Sequence, residues 1–387
     1  MKKTLKNYKY KGKKVILRCD LNVPIENGII TDDTRIKESL KTINYLIDQD
    51  AKIIILSHLG KVKNKEDKIK NTLYPVYLRL KELLDTNVYF CNQTRGSDLE
   101  EKVSMLQEKD VLLIENTRHE DVDGKKESSC DEELSKYWAS LGEIYINDAY
   151  GTSHRSHASN VGISRLLPNA VGFLIEKEIT KLDEIMNEKT NPFVVVMGGK
   201  KISDKTLVIE NLIDKCDKIL VGGGMCFTFL KALNINVGSS IVDDENLEFC
   251  KNILNKYQDK IVLPLDIITS NKEIKDIKKL GNDDIGYDIG PKTCKLFASI
   301  IKTAKRVVIN GPMGVFEEES FAQGTNGIYK CLKENNIKTL IGGGDSAASV
   351  NLLGYSNSFF HISTGGGATL DYLSGKSLPG IDAIGDE

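Results

Sequence analysis

Five times in its second half the chain runs a short apolar segment straight into glycine. Met197 leads into Gly198-Gly199-Lys200-Lys201, Val221 into Gly222-Gly223-Gly224, and Ile309 into Asn310-Gly311-Pro312-Met313-Gly314. Ile341 leads into Gly342-Gly343-Gly344-Asp345, and Thr364 into Gly365-Gly366-Gly367. Glycine has no Cβ, so backbone N–H groups can close on an anion, and a following helix adds the positive end of its dipole. Tight βα turns use glycine for geometry alone, but five such turns in one half point to a polyphosphate. Lys201 and Lys205 lie four apart beside the first turn and share a face if a helix begins there. Ammonium groups in that place neutralise charge during phosphoryl transfer. Asp345 suits either a Mg2+ carboxylate or a helix cap, and spacing does not choose between them.

The first half carries different chemistry. Seven of the eight arginines precede residue 170: Arg18, Arg35, Arg79, Arg95, Arg118, Arg155 and Arg165. Arg118-His119 and His154-Arg155-Ser156-His157 follow apolar runs, as does Ser57-His58-Leu59-Gly60-Lys61. Guanidinium forks grip phosphate and carboxylate bidentately, which a lysine cannot copy. The expectation is a basic cup for a small, multiply anionic substrate. Arg79, Arg95, Arg165 and Arg306 lack this context and receive no role. No carboxylate or cysteine completes a metal site around His154 and His157.

Known nucleotide signatures are mostly missing. There is no G-x-x-x-x-G-K-[ST], and no protein-kinase H-R-D-L-x-x-x-N or D-F-G. Gly342-x-Gly344-x-x-Ala347 fits the loose dinucleotide fingerprint, yet no acidic residue follows about 20 positions on, where a ribose ligand belongs. A dehydrogenase reading is weakened by that.

The elements that must hold these residues are legible as periodic runs. Val15–Leu17, Ile53–Leu56, Val111–Ile114 and Ile144–Ile146 lie in the first half. Phe193–Met197, Ile219–Val221, Ile261–Leu263, Val307–Ile309, Thr339–Ile341 and Phe359–Ile362 lie in the second. Continuous apolar runs suit strands buried on both faces, and their alternation with amphipathic stretches predicts parallel βαβ sheets. The fold class expected is α/β: two Rossmann-like domains, each a parallel sheet flanked by helices, joined by a hinge helix. Ile175, Ile179, Leu182 and Met186 mark one face of that helix, which Asn191-Pro192 ends. The expected divisions are 1–171, a connecting helix at 172–189, 190–374, and a tail at 375–387.

Bulk properties agree. At 387 residues the chain exceeds what one core usually supports. Apolar content of 40% and 28% charge are ordinary for a globular protein, and a net charge of −2 gives no field favouring nucleic acid or membrane. The eight cysteines form no CxxC pair and read as reduced thiols. No secretory signal or spanning segment stands out, so a cytoplasmic location is expected.

Longer motifs resemble the phosphoglycerate kinase family almost from end to end. Arg18-Cys19-Asp20-Leu21-Asn22-Val23-Pro24 is similar to R-V-D-x-N-V-P, Asp33-Thr34-Arg35-Ile36 to D-x-T-R-I, and Ser57-His58-Leu59-Gly60 to S-H-L-G. Leu113 to Arg118 and Asn147 to Ser159 follow the family as well. So do Gly198 to Lys205, Gly222 to Leu230, Asp288 to Thr293, Asn310 to Glu317, Gly342 to Asp345 and Ser363 to Ala368.

The resemblance implies roles. Asp20, Leu21, Asn22, Arg35, His58, Leu59, Gly60, Lys61, Arg118 and Arg155 would bind 3-phosphoglycerate or 1,3-bisphosphoglycerate. Arg35 and Lys201 would be catalytic, helped by amides near Gly343 and Gly366. Lys205, Gly286, Glu317, Gly343, Gly344, Asp345 and Ser346 would bind ADP or ATP, with Glu317 on the ribose and Asp345 on Mg2+. It also implies a monomer and a tail that returns to the first domain. Lys61 stands where the family commonly has arginine, a point charge in place of a planar fork. Lys200 replaces a small residue, and Ser346 replaces threonine but keeps the hydroxyl. Ile309 and Cys226 replace Trp and Ala, with packing consequences only. A non-catalytic descendant would have lost Arg35, Lys201, Lys205 or Asp345, and all four are present.

Overall fold

Runs such as Ile53–Leu56 and Phe193–Met197 offer no polar face to water, so they settle where helices cover both sides of a sheet. In the computed structural model, which describes residues 2–387, they build two six-stranded parallel sheets. Each lies in its own compact unit. The first unit runs to Thr180 and takes in Ser377–Glu387; the second is Lys181–Lys376.

The first sheet uses β1 (Lys14–Cys19), β2 (Lys52–Leu56), β3 (Val88–Cys91), β4 (Val111–Ile114), β5 (Ile144–Asp148) and β6 (Asn169–Val171). Their order is β3-β4-β2-β1-β5-β6, parallel throughout. From β1 the chain moves one way across the sheet and from β5 the other, so a switch point opens at their carboxyl ends, where ligands bind in such sheets. Register places Cys19 opposite Asp148 there. Helix α1 (Thr34–Asp48) buries Ile36, Ile43 and Leu46 against the sheet core of Leu17, Ile55 and Ile146.

The second sheet uses β7 (Phe193–Met197), β8 (Lys218–Val221) and β9 (Ile261–Val262), then β13 (Arg306–Asn310), β14 (Lys338–Gly342) and β15 (His361–Ile362). An antiparallel sheet intervenes in the chain: β10 (Asp266–Thr269), β11 (Ile274–Asp276) and β12 (Gly286–Ile289). The parallel order β9-β8-β7-β13-β14-β15 has its switch point between β7 and β13. Val194, Val196, Leu220, Phe297, Ile309, Ile328 and Ile341 form its core.

Helix α2 (Phe173–Asn187) carries the chain out of the first unit. It differs in detail from the expected stripe. Leu174, Ile175, Leu182 and Ile185 are buried, while Ile179 and Met186 are only half-buried. Its start is capped from β5, because Asp148 Oδ1 accepts from Leu174 N at 2.8 Å and Ile175 N at 3.4 Å. Its end is capped by Arg306, which sequence context left without a role. The guanidinium donates to the Ile185 carbonyl, to Met186 O at 3.2 Å and to Thr190 O at 3.1 Å, and stacks on Phe193. Among the described residues no helix is long and apolar enough to cross a membrane.

Candidate active site

At the first switch point β1 runs into Asp20-Leu21-Asn22, and each residue is pinned by the neighbouring turns. Leu21 N donates to Ser57 Oγ at 2.9 Å, and Asn22 Oδ1 accepts from Gly60 N at 2.8 Å. Gly60 has φ +59°, and a Cβ there would lie 2.6 Å from Asn71 Oδ1, so a side chain at this turn would be strained and would displace Asn71. Asn116 closes the third strand end: it accepts from Leu59 N at 3.1 Å and donates to Leu59 O at 2.7 Å and Asn71 O at 2.8 Å. From the first turn of α1, Arg35 forms an ion pair with the buried Asp20 carboxylate.

The basic groups share one field. Burial first, then Arg18, Arg118, His157 and Arg35, hold the His58 imidazolium pKa well below its ordinary value. Burial, then Arg118, Arg18, Arg155 and His154, pull His157 down to about 3. Both rings are therefore neutral near pH 7, leaving the arginines as the positive charges. Arg118 donates to Asp121 Oδ2 at 3.0 Å, while its buried Nε has no partner. Arg155 Nε bonds His154 Nε2 at 3.1 Å. Lys61 is exposed. Asp20, Asn22, His58, Arg118 and Arg155 thus stand at the carboxyl edge of one sheet, with Arg35 beside them in the first turn of α1 and Arg18 buried behind them in β1. Accessible arginines gathered this way recognise a compact polyanion.

In the second unit the glycines divide into two groups. Gly198, Gly223 and Gly311 are required by packing of turn on turn. A Cβ on Gly198 would lie 2.1 Å from Pro312 O, and one on Gly311 would lie 2.2 Å from Gly198 O. Gly286 is likewise filled from within, by Phe227. Gly344 and Gly366 instead face open space, with nothing within 4 Å of an added Cβ. These two and Gly343, at φ +97°, line a cleft rather than a turn-on-turn contact.

Two clefts open on this edge. One, of about 600 Å³, is lined by Ser203 to Leu207, Asn310, Gly311, Gly343 to Ser346, Gly366, Gly367 and residues toward Lys376. The other, of about 520 Å³, is lined by Gly199, Lys200, Gly223, Gly224, Gly286, Tyr287, Pro312, Phe316, Glu317 and Asp345. The expected nucleotide set is therefore distributed: Lys205, Gly343, Gly344 and Ser346 on the first, Gly286 and Glu317 on the second. Asp345 lines both.

Helix α3 (Thr206–Ile213) begins later than the shared-face expectation required. Lys205 is its N-cap residue, half-buried, with Nζ donating to Asn310 Oδ1 at 2.7 Å. Burial lowers its pKa, against Asp204 and Asp345, which raise it. Lys201 lies before the helix, exposed, so the two lysines are not helical neighbours. Helix α4 (Gly344–Leu352) has Gly343 as its N-cap, and Asp345 is an exposed residue of its first turn. The capping role is thereby excluded for Asp345. Ser346 is buried and its hydroxyl accepts from Gly311 N at 2.7 Å, tying α4 to the turn after β13.

Sequence reasoning passed over three residues here. Glu127 is wholly buried, accepts from Ser159 N at 3.0 Å and lies 3.8 Å from His157 Nδ1. Asn116 and Asn310 each knit two turns together. Asn116 and Asn310 sit at strand ends within quoted motifs, a signal that was present; Glu127 lies in a polar loop with no such mark.

Comparisons with known proteins agree with this geometry. A family model described as phosphoglycerate kinase matches residues 5–376. Phosphoglycerate kinases of Staphylococcus aureus (strain bovine RF122 / ET3-1) and Enterococcus faecalis (strain ATCC 700802 / V583) are 52% and 50% identical, each over 100% of both chains. Solved phosphoglycerate kinases from Coxiella burnetii and Pyrococcus horikoshii OT3 superpose with TM-scores of 0.88 and 0.85, both at 33% identity. They cover 99% and 98% of this chain and 98% of their own. With the sheets, the arginine cluster and the glycine-lined clefts in agreement with it, the chain belongs to the phosphoglycerate kinase family.

Proposed function

We propose that the chain transfers a phosphoryl group reversibly from 1,3-bisphosphoglycerate to ADP, giving 3-phosphoglycerate and ATP. One observation carries this reading: a cluster of arginines in one unit and a glycine-lined pair of clefts in the other, each at the switch point of its own sheet. In the cup, Asp20, Asn22, His58, Arg118 and Arg155 hold the glycerate and its distal phosphate, with Leu21, Leu59, Gly60 and Lys61 lining it. In the clefts, Lys205, Gly343, Gly344 and Ser346 meet the phosphates, while Gly286 and Glu317 meet the nucleoside. Arg35 and Lys201 stabilise the group in flight, which spreads negative charge over its equatorial oxygens.

Asp345 suits Mg2+. It is an exposed carboxylate at the meeting of both clefts, and Mg2+ takes one or two carboxylates with the rest of its shell from phosphate and water. Among the described residues no three His, Cys, Asp or Glu side chains converge on a metal, so a Mg2+ held by Asp345 would take its other ligands from phosphate and water. Bound there, the ion neutralises phosphate charge. Direct transfer requires the two ligands to meet in line with water excluded, and α2 is the proposed hinge. The same reading has the protein act as a cytoplasmic monomer on small molecules, with no nucleic-acid or membrane partner.

Phosphorus NMR of the purified protein with ATP, 3-phosphoglycerate and Mg2+ tests the reading. Growth of ADP and acyl-phosphate signals together is expected; ADP growing with inorganic phosphate and no acyl phosphate would mean hydrolysis and overturn it.

A further inference from the structure

We infer that Glu127 is a positioning residue for His58, acting through Ser159 and Arg18 to fix which ring nitrogen of His58 carries its proton. This rests on the proposed binding of glycerate by His58.

Arg18 is fully buried, so it does not reach a ligand in the cup itself. Its guanidinium is committed to protein: Nη1 donates to the Cys19 carbonyl, Nε to Ser159 Oγ at 2.9 Å, and Nη2 meets His58 Nδ1 at 3.2 Å. Arginine has five N–H donors and no acceptor. His58 Nδ1 must therefore accept, and the neutral ring carries its only polar hydrogen on Nε2. A neutral Nε2–H donates to an anionic oxygen; the other tautomer would offer that position a lone pair.

The chain of bonds behind Arg18 has a fixed direction. The Ser159 hydroxyl accepts from Arg18 and so spends its one proton on Glu127 Oε1, at 2.5 Å. Ser159 N donates to Glu127 Oε2 at 3.0 Å. Burial raises the Glu127 pKa, and the Arg18 charge and both Ser159 bonds oppose this. Glu127 thus sets a buried carboxyl group behind the buried guanidinium, joined to it through a hydroxyl that orients the fork.

The test uses full-length protein labelled with [15N]histidine, with the His58 signal assigned by its loss in His58→Gln. Long-range 1H–15N spectra report the tautomer, and steady-state kinetics report KM for 3-phosphoglycerate and for ATP. Wild type is expected to show His58 protonated on Nε2 alone. Ser159→Ala, which deletes one oxygen, should give a mixture of tautomers. It should also raise the 3-phosphoglycerate KM about tenfold, the scale of one charge-assisted hydrogen bond, with the ATP KM changed less than about twofold. Glu127→Gln should act in the same direction; if it fails to fold, Ser159→Ala still decides. A proton on Nδ1 in wild type, an unchanged tautomer in Ser159→Ala, or both KM values rising together overturns the inference. A changed tautomer with the 3-phosphoglycerate KM unmoved sustains the positioning by Arg18 and overturns the assignment of His58 to substrate.

Discussion

The backbone of Gly199 lies so close to Gly223 that a methyl group on Gly223 would sit 2.6 Å from the Gly199 nitrogen. Gly223 also has φ +60°, so alanine is excluded both by space and by backbone conformation. Gly344 is the opposite case, helical and open. Gly223→Ala should destabilise the second unit by about 2 kcal/mol or more, whereas Gly344→Ala should leave stability within about 1 kcal/mol of wild type. Urea titration of the two variants separates them, and equal losses would refute the division of the glycines into packing and ligand groups.

Arg35 and Lys201 are assigned to the transferring group rather than to nucleotide binding. Arg35→Ala and Lys201→Ala should each lower kcat about 100-fold or more, the scale of one lost charge stabiliser. The ADP dissociation constant should change little. Calorimetry beside turnover makes the check, and equal losses in both quantities contradict the roles.

Asp345 should couple metal to nucleotide. In Asp345→Asn the strengthening of ADP binding by Mg2+ should largely vanish, while ADP binding in EDTA stays near that of wild type. Titration with and without Mg2+ decides, and an undiminished metal effect would remove Asp345 from the site.

Asp148 gives a pH dependence with a defined sign. Burial raises its pKa to about 7, against bonds from Thr42 and the amides of Leu174 and Ile175. Its Oδ2 is buried without a partner. The native state then holds a proton that the unfolded chain releases near pH 4, so stability falls as pH rises from about 4 to about 7 and levels off above. The full effect is on the order of 4 kcal/mol by linkage. Asp148→Asn should flatten this fall and be the more stable protein at pH 8. Melting curves from pH 5 to pH 8 test it; parallel slopes for the two proteins would count against a protonated Asp148.

Much of the fold was readable because the central strands are continuous apolar runs. What escaped notice lacks that mark. Val88–Cys91 is an edge strand with Tyr89 turned to solvent, so its pattern is broken. Asn169–Val171 has three residues, and the antiparallel sheet of β10 to β12 carries Asp266, Lys275, Asp276 and Asp288 within its strands. At the site, strand-end motifs marked the turns that carry charge, but not the division of labour among the glycines, which depends on how turns stack. The shared face of Lys201 and Lys205 is conditional on a helix beginning at the glycine turn, and that condition is not met, because Ile202 to Lys205 form a turn before α3. Glu127 could not be found from sequence, since its role depends on Ser159, 32 positions away.

The central claim is transfer from an acyl phosphate to ADP, and the most direct measurement is ATP formation by the purified protein from 1,3-bisphosphoglycerate and ADP, with and without Mg2+. ATP and 3-phosphoglycerate should appear in equal amounts, only with both substrates present, and the rate should collapse when Mg2+ is chelated. Consumption of 1,3-bisphosphoglycerate that ignores ADP, or the absence of ATP under any of these conditions, would contradict the account.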